Sequence, residues 1–255
     1  HLLNSYDDRF MFDYDARGER ATRDVVSRGI YAEMRKSNAS PNGGVYISMS
    51  HLGEDKVRAL FPGMVKRCAD SGFDLAAGKV EVVPTAHYFM GGVVVDVDTK
   101  TQMPGLYVAG EDAGGAHGSN RLGGNGVANS TVYGGVAGDI MGRDALKMGA
   151  LREPDEGILR DEIARACRPF AKTGGDLNSL RQDLRQTMWD DVGVMRDAAG
   201  LKTGLQKLEQ IKRDLYDIGV EDGVRAFNLT WHDWLNLDNL IEISQVIGAA
   251  ALVRE

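Results

Sequence analysis

The chain has 255 residues, 43% of them hydrophobic, with 37 acidic against 30 basic side chains and a formal net charge of −7. That length and apolar content read as a globular, soluble chain with one large or two to three small folded units, and the acidic balance excludes a general nucleic-acid surface while leaving room for a local basic pocket. No run approaches the ~18–20 consecutive apolar residues of a membrane span, HLLNSYDDRF holds no signal-peptide core, and Cys68 and Cys167 stand apart without CxxC spacing, so no disulfide framework or metal cluster is expected.

In chain order, the sequence starts at His1, without Met and inside an apparent strand, and so reads as a piece of a longer polypeptide. To about Thr85 it mixes short extended pieces (45–49, 80–83) with amphipathic helical stretches over 24–34 and 54–70, an α+β texture. Four arginines, Arg17, Arg20, Arg23 and Arg28, crowd one segment. Such a run is ordinarily a solvated helix face. Arg23 differs because it stands where an irregular stretch meets a helix, a position from which a guanidinium reaches into a cleft.

Next comes His87 in PTAHYFMGGV, a β-branched run over 93–97, a polar turn over 98–102, and a short strand over 106–109. A His beside aromatics is more often a packing residue than a catalyst, but one next to Gly91-Gly92 and a strand is a better site candidate. The strand then enters GLYVAGEDAGGAHGSNRLGGNG, in which eight of the 22 residues are Gly. Glycine at that density removes Cβ atoms where backbone approaches a ligand, and flexible linkers do not interleave Glu111, His117 and Arg121. Glu111 reads either as an acceptor for ligand hydroxyls or as a cap for the loop's own N–H groups. The helix beginning near Asn125 points its free N–H groups back at the loop, which suits an anionic or electron-rich ring edge. A Walker-type phosphate loop does not fit, because Gly124-Asn125 replaces Lys-Ser/Thr.

After the loop, the stretch 127–141 is small and apolar enough for a buried helix. From about Leu151 the pattern is helical, with Leu177, Leu180, Leu184, Met188 and Val192 on one stripe and Leu201, Leu205, Leu208, Ile211, Leu215 and Ile218 on another. Asp176 is an N-cap candidate. A last helix spans about 237–253, and the three pack as a small bundle.

RDVVSRGIY, HYFMGG, GLYVAGE and HGSNRLGGNG, in this order and at these distances, closely resemble the flavoprotein subunits of succinate dehydrogenase and fumarate reductase, with L-aspartate oxidase a near relative. The resemblance covers essentially the whole chain. It implies a mixed α+β and α/β architecture: part of a capping domain over 1–85, the C-terminal part of an FAD-binding domain over 86–148, and a helical domain over 149–255. It implies an FAD-dependent oxidoreductase acting on succinate, fumarate or a similar small dicarboxylate, by hydride transfer at the flavin and proton transfer through Arg23. His87 and Arg121 are then substrate-binding. Glu111 bonds the flavin side chain, Asn125, Gly126 and Val127 lie along the flavin edge, and Asp24 and Arg9 are candidates for restoring the proton of Arg23. An iron–sulfur electron-transfer protein is the implied partner, with cytoplasmic placement or attachment at the inner face of a membrane through that partner.

Two departures qualify the expectation. No GxGxxG follows a strand, so the ADP half of the FAD site is missing from these residues, and the chain alone is expected to bind FAD weakly and to lack turnover. Gly126 stands where the respiratory enzymes usually carry Ser. The competing reading from another class is a non-catalytic unit that binds a partner or small anion through the same loops.

Overall fold

A computed structural model describes residues 1–150 and 153–254. The chain separates into two compact units, His1–Arg152 and Glu153–Glu255. Leu151, where the sequence places the start of the helical pattern, lies outside the described residues.

The first unit is built on a three-stranded antiparallel sheet in the order β1 (Leu2–Leu3), β2 (Val45–Ser48), β3 (Lys79–Val82), with Leu2 opposite Ile47 and Ile47 opposite Val80. Helix α1 (Arg23–Arg35) buries Ile30 in a cluster with Leu2, Phe10, Met11 and Val45. A second cluster around Val57, Leu75 and Ala76 takes in Ile47 and Val80. The sequence suggests one helix over 54–70, but the chain forms two, α2 (Glu54–Leu60) and α3 (Pro62–Asp70). Pro62 lacks an N–H and disfavours helical geometry at Phe61, so it opens a new helix as its first residue.

The expected strands over 93–97 and 106–109 are reduced to single bridges, Val93 with Ala113 and Lys100 with Tyr107. β-Branched residues favour a strand only where a neighbour supplies the ladder, and Val94 and Val97 stand exposed. What joins these segments is backbone contact. Val93 N–H donates to the Asp112 carbonyl at 2.8 Å and Gly114 N–H to that of Val93 at 3.0 Å. A Cβ on Gly92 would lie 2.3 Å from the Asp112 carbonyl oxygen, so only glycine permits the approach. This clamp brings HYFMGG beside the glycine loop.

Helix α4 (Asn125–Met148) follows the loop. The sequence predicts it to be buried, but among its residues only Asn129, Ala137 and Ile140 are. The turn Gly110–Asp112 packs on it, while Val127, Val132, Tyr133, Met141 and Leu146 remain exposed. An apolar run codes for a buried helix only where other elements cover every side, and the elements of this unit cover one.

The second unit holds α5 (Glu156–Cys167), α6 (Leu177–Asp190), α7 (Ala198–Asp217) and α8 (Leu229–Val253). Helix α7 packs on both α6 and α8 around Leu180, Leu184, Leu208, Ile211, Leu215, Trp234, Leu237 and Ile241. Asp176 caps α6 as expected, accepting from the N–H groups of Asn178 and Ser179 at 2.9 and 3.1 Å. Helix α5 is an addition to the expected three. Its Ile158, Leu159 and Ile163 stay exposed, so no buried stripe announces it in the sequence. It is tied to α8 instead by the Arg165–Asp238 ion pair at 2.6 Å and by the Trp231 indole donating to the Ala166 carbonyl at 2.7 Å.

Candidate active site

A cleft of about 540 Å³ opens in the first unit, with Val26, Ile30, Ile47 and Val82 among its apolar walls and Glu19, Arg23 and His87 among its charged and polar groups, which also include His1, Ser27 and Thr85. Its position follows from three local features. Arg23 is the first residue of α1, so its side chain leaves the helix at an open end. The turn Gly18–Arg20 presents Glu19. The chain leaving β3 runs through Pro84 and Thr85 to His87 along the rim.

The arginines of the crowded segment are not equivalent. Arg17 pairs with Asp15 and Arg28 with Asp24, each at 2.9 Å. Neither Arg20 nor Arg23 forms an ion pair with any described residue, and of the two it is Arg23 that lines the cleft. Asp24 does not turn toward it. Its carboxylate takes Arg28 and the Asn120 side-chain amide, the latter at 2.8 Å, and it titrates below the usual range chiefly through a hydrogen bond from the Thr22 hydroxyl. Arg9 joins the cleft indirectly, through a two-pronged bond to Glu19 of 2.8 and 2.7 Å. That bond holds the Glu19 carboxyl down at about 2.

Because Glu19 is depressed from an ordinary 4.5, its contribution to stability is fully present above pH 4.5 and lost as pH falls toward 2. Glu19→Gln is therefore expected to flatten the acid dependence of the first unit's unfolding midpoint, followed by circular dichroism in urea between about pH 5 and about pH 3. Parallel curves for the variant and the unaltered chain would remove the pair from the account.

The glycine loop completes the cluster. The Arg121 guanidinium lies over the Tyr88 ring at 4.2 Å, with one terminal nitrogen 3.4 Å from His87 Nε2 and the other donating to the Leu122 carbonyl at 3.2 Å. Its Nε is buried without a partner. Asn120, one residue earlier, holds Asp24. Two expected residues, Arg23 and His87, thus line one cleft, and Arg121 joins them through its contact with His87. Two guanidinium groups without a counter-anion beside an imidazole form a receptor for a small polyanion, since each can take a carboxylate bidentately.

Glu111 caps the chain in part. One carboxylate oxygen accepts from the Phe89 N–H at 2.7 Å, and the other has no partner among the described residues. Around it the loop leaves room. Cβ atoms on Gly115, Gly118, Gly123 and Gly124 would meet nothing within 4 Å. Gly126 and Val127 at the exposed start of α4 offer helix-terminal N–H groups, whereas the Asn125 N–H donates to the Leu122 carbonyl at 3.3 Å, and Val127 and Leu122 are 79% and 73% exposed. Free N–H donors, a carboxylate acceptor and uncovered apolar surface at a side-chain-free loop fit the edge of a flat, polar-rimmed ring system such as a flavin.

Sequence reasoning overlooked Tyr88, Glu19, Asn120 and Asn129. Tyr88 and Glu19 each lie within a motif already singled out, and Asn120 adjoins Arg121. Asn129 is buried in α4 and donates to the Gly110 carbonyl at 3.0 Å, a role that only the loop's folding back onto the helix creates.

Comparison with known proteins agrees with this geometry. Residues 1–127 match the FAD binding domain family and residues 181–255 the fumarate reductase flavoprotein C-terminal family. The chain is 36% identical to a fumarate reductase (CoM/CoB) subunit of Methanothermobacter marburgensis and 31% identical to an L-aspartate oxidase of Synechocystis sp., covering all of this chain and 46% and 48% of theirs. It therefore spans about half the length of these relatives. Among solved structures, E. coli quinol fumarate reductase FrdA superposes with a TM-score of 0.89 at 27% identity over 99% of this chain and 46% of that one. Mycobacterium smegmatis Sdh1 in complex with UQ1 gives 0.83 at 34%, over 99% of this chain and 42% of that one. Family models, relatives and fold converge: this chain belongs to the FAD-dependent succinate dehydrogenase/fumarate reductase flavoprotein family.

Proposed function

We propose that this chain forms the substrate-side half of an oxidoreductase interconverting succinate and fumarate, or a closely similar dicarboxylate. The observation that carries the reading is the meeting of Arg23 and His87 in one cleft, with Arg121 in contact with His87 and neither guanidinium holding a counter-anion. Arg121 and His87 hold one substrate carboxylate. Arg23 gives a proton to the carbon next to the one that receives hydride when the double bond is reduced, and takes it back in the reverse direction. Holding both partners in place turns this into a step within one complex, and the guanidinium groups stabilise negative charge as it develops.

A guanidinium is so weak an acid that its deprotonated form is costly at neutral pH, so an arginine acid demands prompt reprotonation. The Arg9–Glu19 pair lies on the Arg23 side of the cleft and is the favoured route for that, whereas Asp24 is engaged by Arg28 and Asn120. Glu111, Asn125, Gly126 and Val127 would hold FAD. The bound cofactor supplies the two-electron hydride chemistry that side chains lack. We assign residues 1–85 to a capping domain, 86–148 to the FAD domain and 149–255 to the helical domain, and an iron–sulfur protein to the role of electron partner. Among the described residues no helix is long and apolar enough to cross a membrane, so membrane attachment would run through that partner.

The 31% identity to L-aspartate oxidase keeps a second substrate in view, because aspartate also presents two carboxylates. The deciding experiment uses the complete flavin-loaded oxidoreductase of which this chain forms the substrate-side half, mixes it anaerobically with succinate or with aspartate, then with fumarate, and follows the visible flavin band. Bleaching by succinate and recovery with fumarate is the expected result. Bleaching by aspartate alone would identify the oxidase, and no response to any of the three would support a non-catalytic binding unit.

A further inference from the structure

We propose that Tyr88 is a positioning residue for substrate binding: its ring is the platform that aims the Arg121 guanidinium. The inference rests on the dicarboxylate reading above. Arginine usually owes its orientation to an acidic partner, but Arg121 has none and its Nε is buried without a partner. What fixes the plane of its fork is the stack on Tyr88 at 4.2 Å, together with the Leu122 carbonyl and His87.

The platform is itself held on several sides. The Tyr88 hydroxyl lies 3.1 Å from His117 Nε2 and accepts from the Asn129 amide at 3.3 Å. The His117 ring meets the Tyr88 ring edge-on, with centroids 5.4 Å apart. On the remaining edge, a Cβ on Gly126 would come within 2.8 Å of Tyr88 Cε2, so the helix backbone is pressed against the ring. Asn129 also donates to the Gly110 carbonyl at 3.0 Å, linking the ring to the turn that carries Glu111. A long side chain loses rotamer freedom when it binds a ligand, and stacking removes much of that freedom beforehand. Tyr88 should therefore act on substrate affinity rather than on the chemical step.

The test compares Tyr88→Leu and Tyr88→Phe in the complete flavin-loaded oxidoreductase, with the non-reacting dicarboxylate malonate as probe and the flavin band as signal. Loss of the aromatic face in Tyr88→Leu is expected to weaken malonate binding and raise KM roughly tenfold, with kcat changed less than about threefold and flavin retained. Tyr88→Phe keeps the face and should bind malonate within about threefold of the unaltered protein. If Tyr88→Leu does not fold, Tyr88→Met gives a side chain of similar reach without an aromatic face. Unchanged affinity without the ring, or a Phe variant as weak as the Leu variant, would overturn the proposal. Absence of malonate binding to the unaltered protein would instead bring down the dicarboxylate reading, and this inference with it.

Discussion

Arg23→Ala in the complete flavin-loaded oxidoreductase is expected to reduce dicarboxylate turnover by about 10²–10⁴-fold, the range associated with losing a positioned general acid. The variant is informative because little else should change. Arg23 is exposed at the first turn of α1 and forms no ion pair with any described residue, so its removal strands no buried charge and opens no cavity. Surface replacements of that kind ordinarily stay within about ±0.5 kcal/mol in stability. Flavin content should be unchanged, because the residues proposed to hold it lie in the loop and at the start of α4. Arg23→Lys keeps the charge but shortens and reshapes the donor, and it too should be severely slowed. Turnover by Arg23→Ala near that of the unaltered protein would remove Arg23 from the chemistry.

Trp234→Ala should have the largest effect on folding, a loss of about 3–5 kcal/mol of stability in the helical unit. Trp234 is 0% exposed at the centre of the cluster shared by α6, α7 and α8. Its indole donates to the Leu215 carbonyl at 3.1 Å and stacks on Tyr216 with centroids 5.9 Å apart. Truncation removes the largest fully buried side chain among the described residues and leaves a void the three helices cannot close without shifting. The Leu215 carbonyl keeps a second donor, the Ile218 N–H at 3.1 Å, so most of the loss is packing rather than an orphaned acceptor. All three tryptophans, Trp189, Trp231 and Trp234, lie in this unit. Their fluorescence in the whole chain therefore reports its unfolding selectively. A urea midpoint for Trp234→Ala indistinguishable from that of the unaltered chain would mean that this cluster does not stabilise the unit.

The two predictions draw on opposite kinds of information. The helical core is legible in the sequence, because Leu180, Leu184, Leu208, Ile211 and Leu215 recur at spacings of three and four and the helical period leaves them one face to occupy. Asp176 is equally readable as a cap, since capping depends only on the few residues that follow. The motifs around Arg23, His87 and Arg121 carry the family and the cofactor class in their residue types and spacing alone. Periodicity fails where burial depends on partners distant in the chain. The apolar run of α4 reads as a buried helix and the 93–97 run as a strand, yet both leave apolar side chains exposed because the surrounding unit covers only part of them. Helix α5 escapes notice for the converse reason, being held by an ion pair and an indole hydrogen bond that leave no periodic trace.

The site shows the same division. Residue types determined by themselves that guanidinium, imidazole and carboxylate groups were present near glycines, and hence the class of ligand they suit. Tertiary structure alone decided that Arg23 lines the cleft without an ion pair, that Asp24 faces Arg28 and Asn120 rather than Arg23, and that Tyr88 lies beneath Arg121. Hydrogen bonding and ring stacking act over a few ångströms; Tyr88 and His87 reach Arg121 where the Gly92 contact with Asp112 joins their segments, and Asp24 meets Asn120 across 96 positions of sequence.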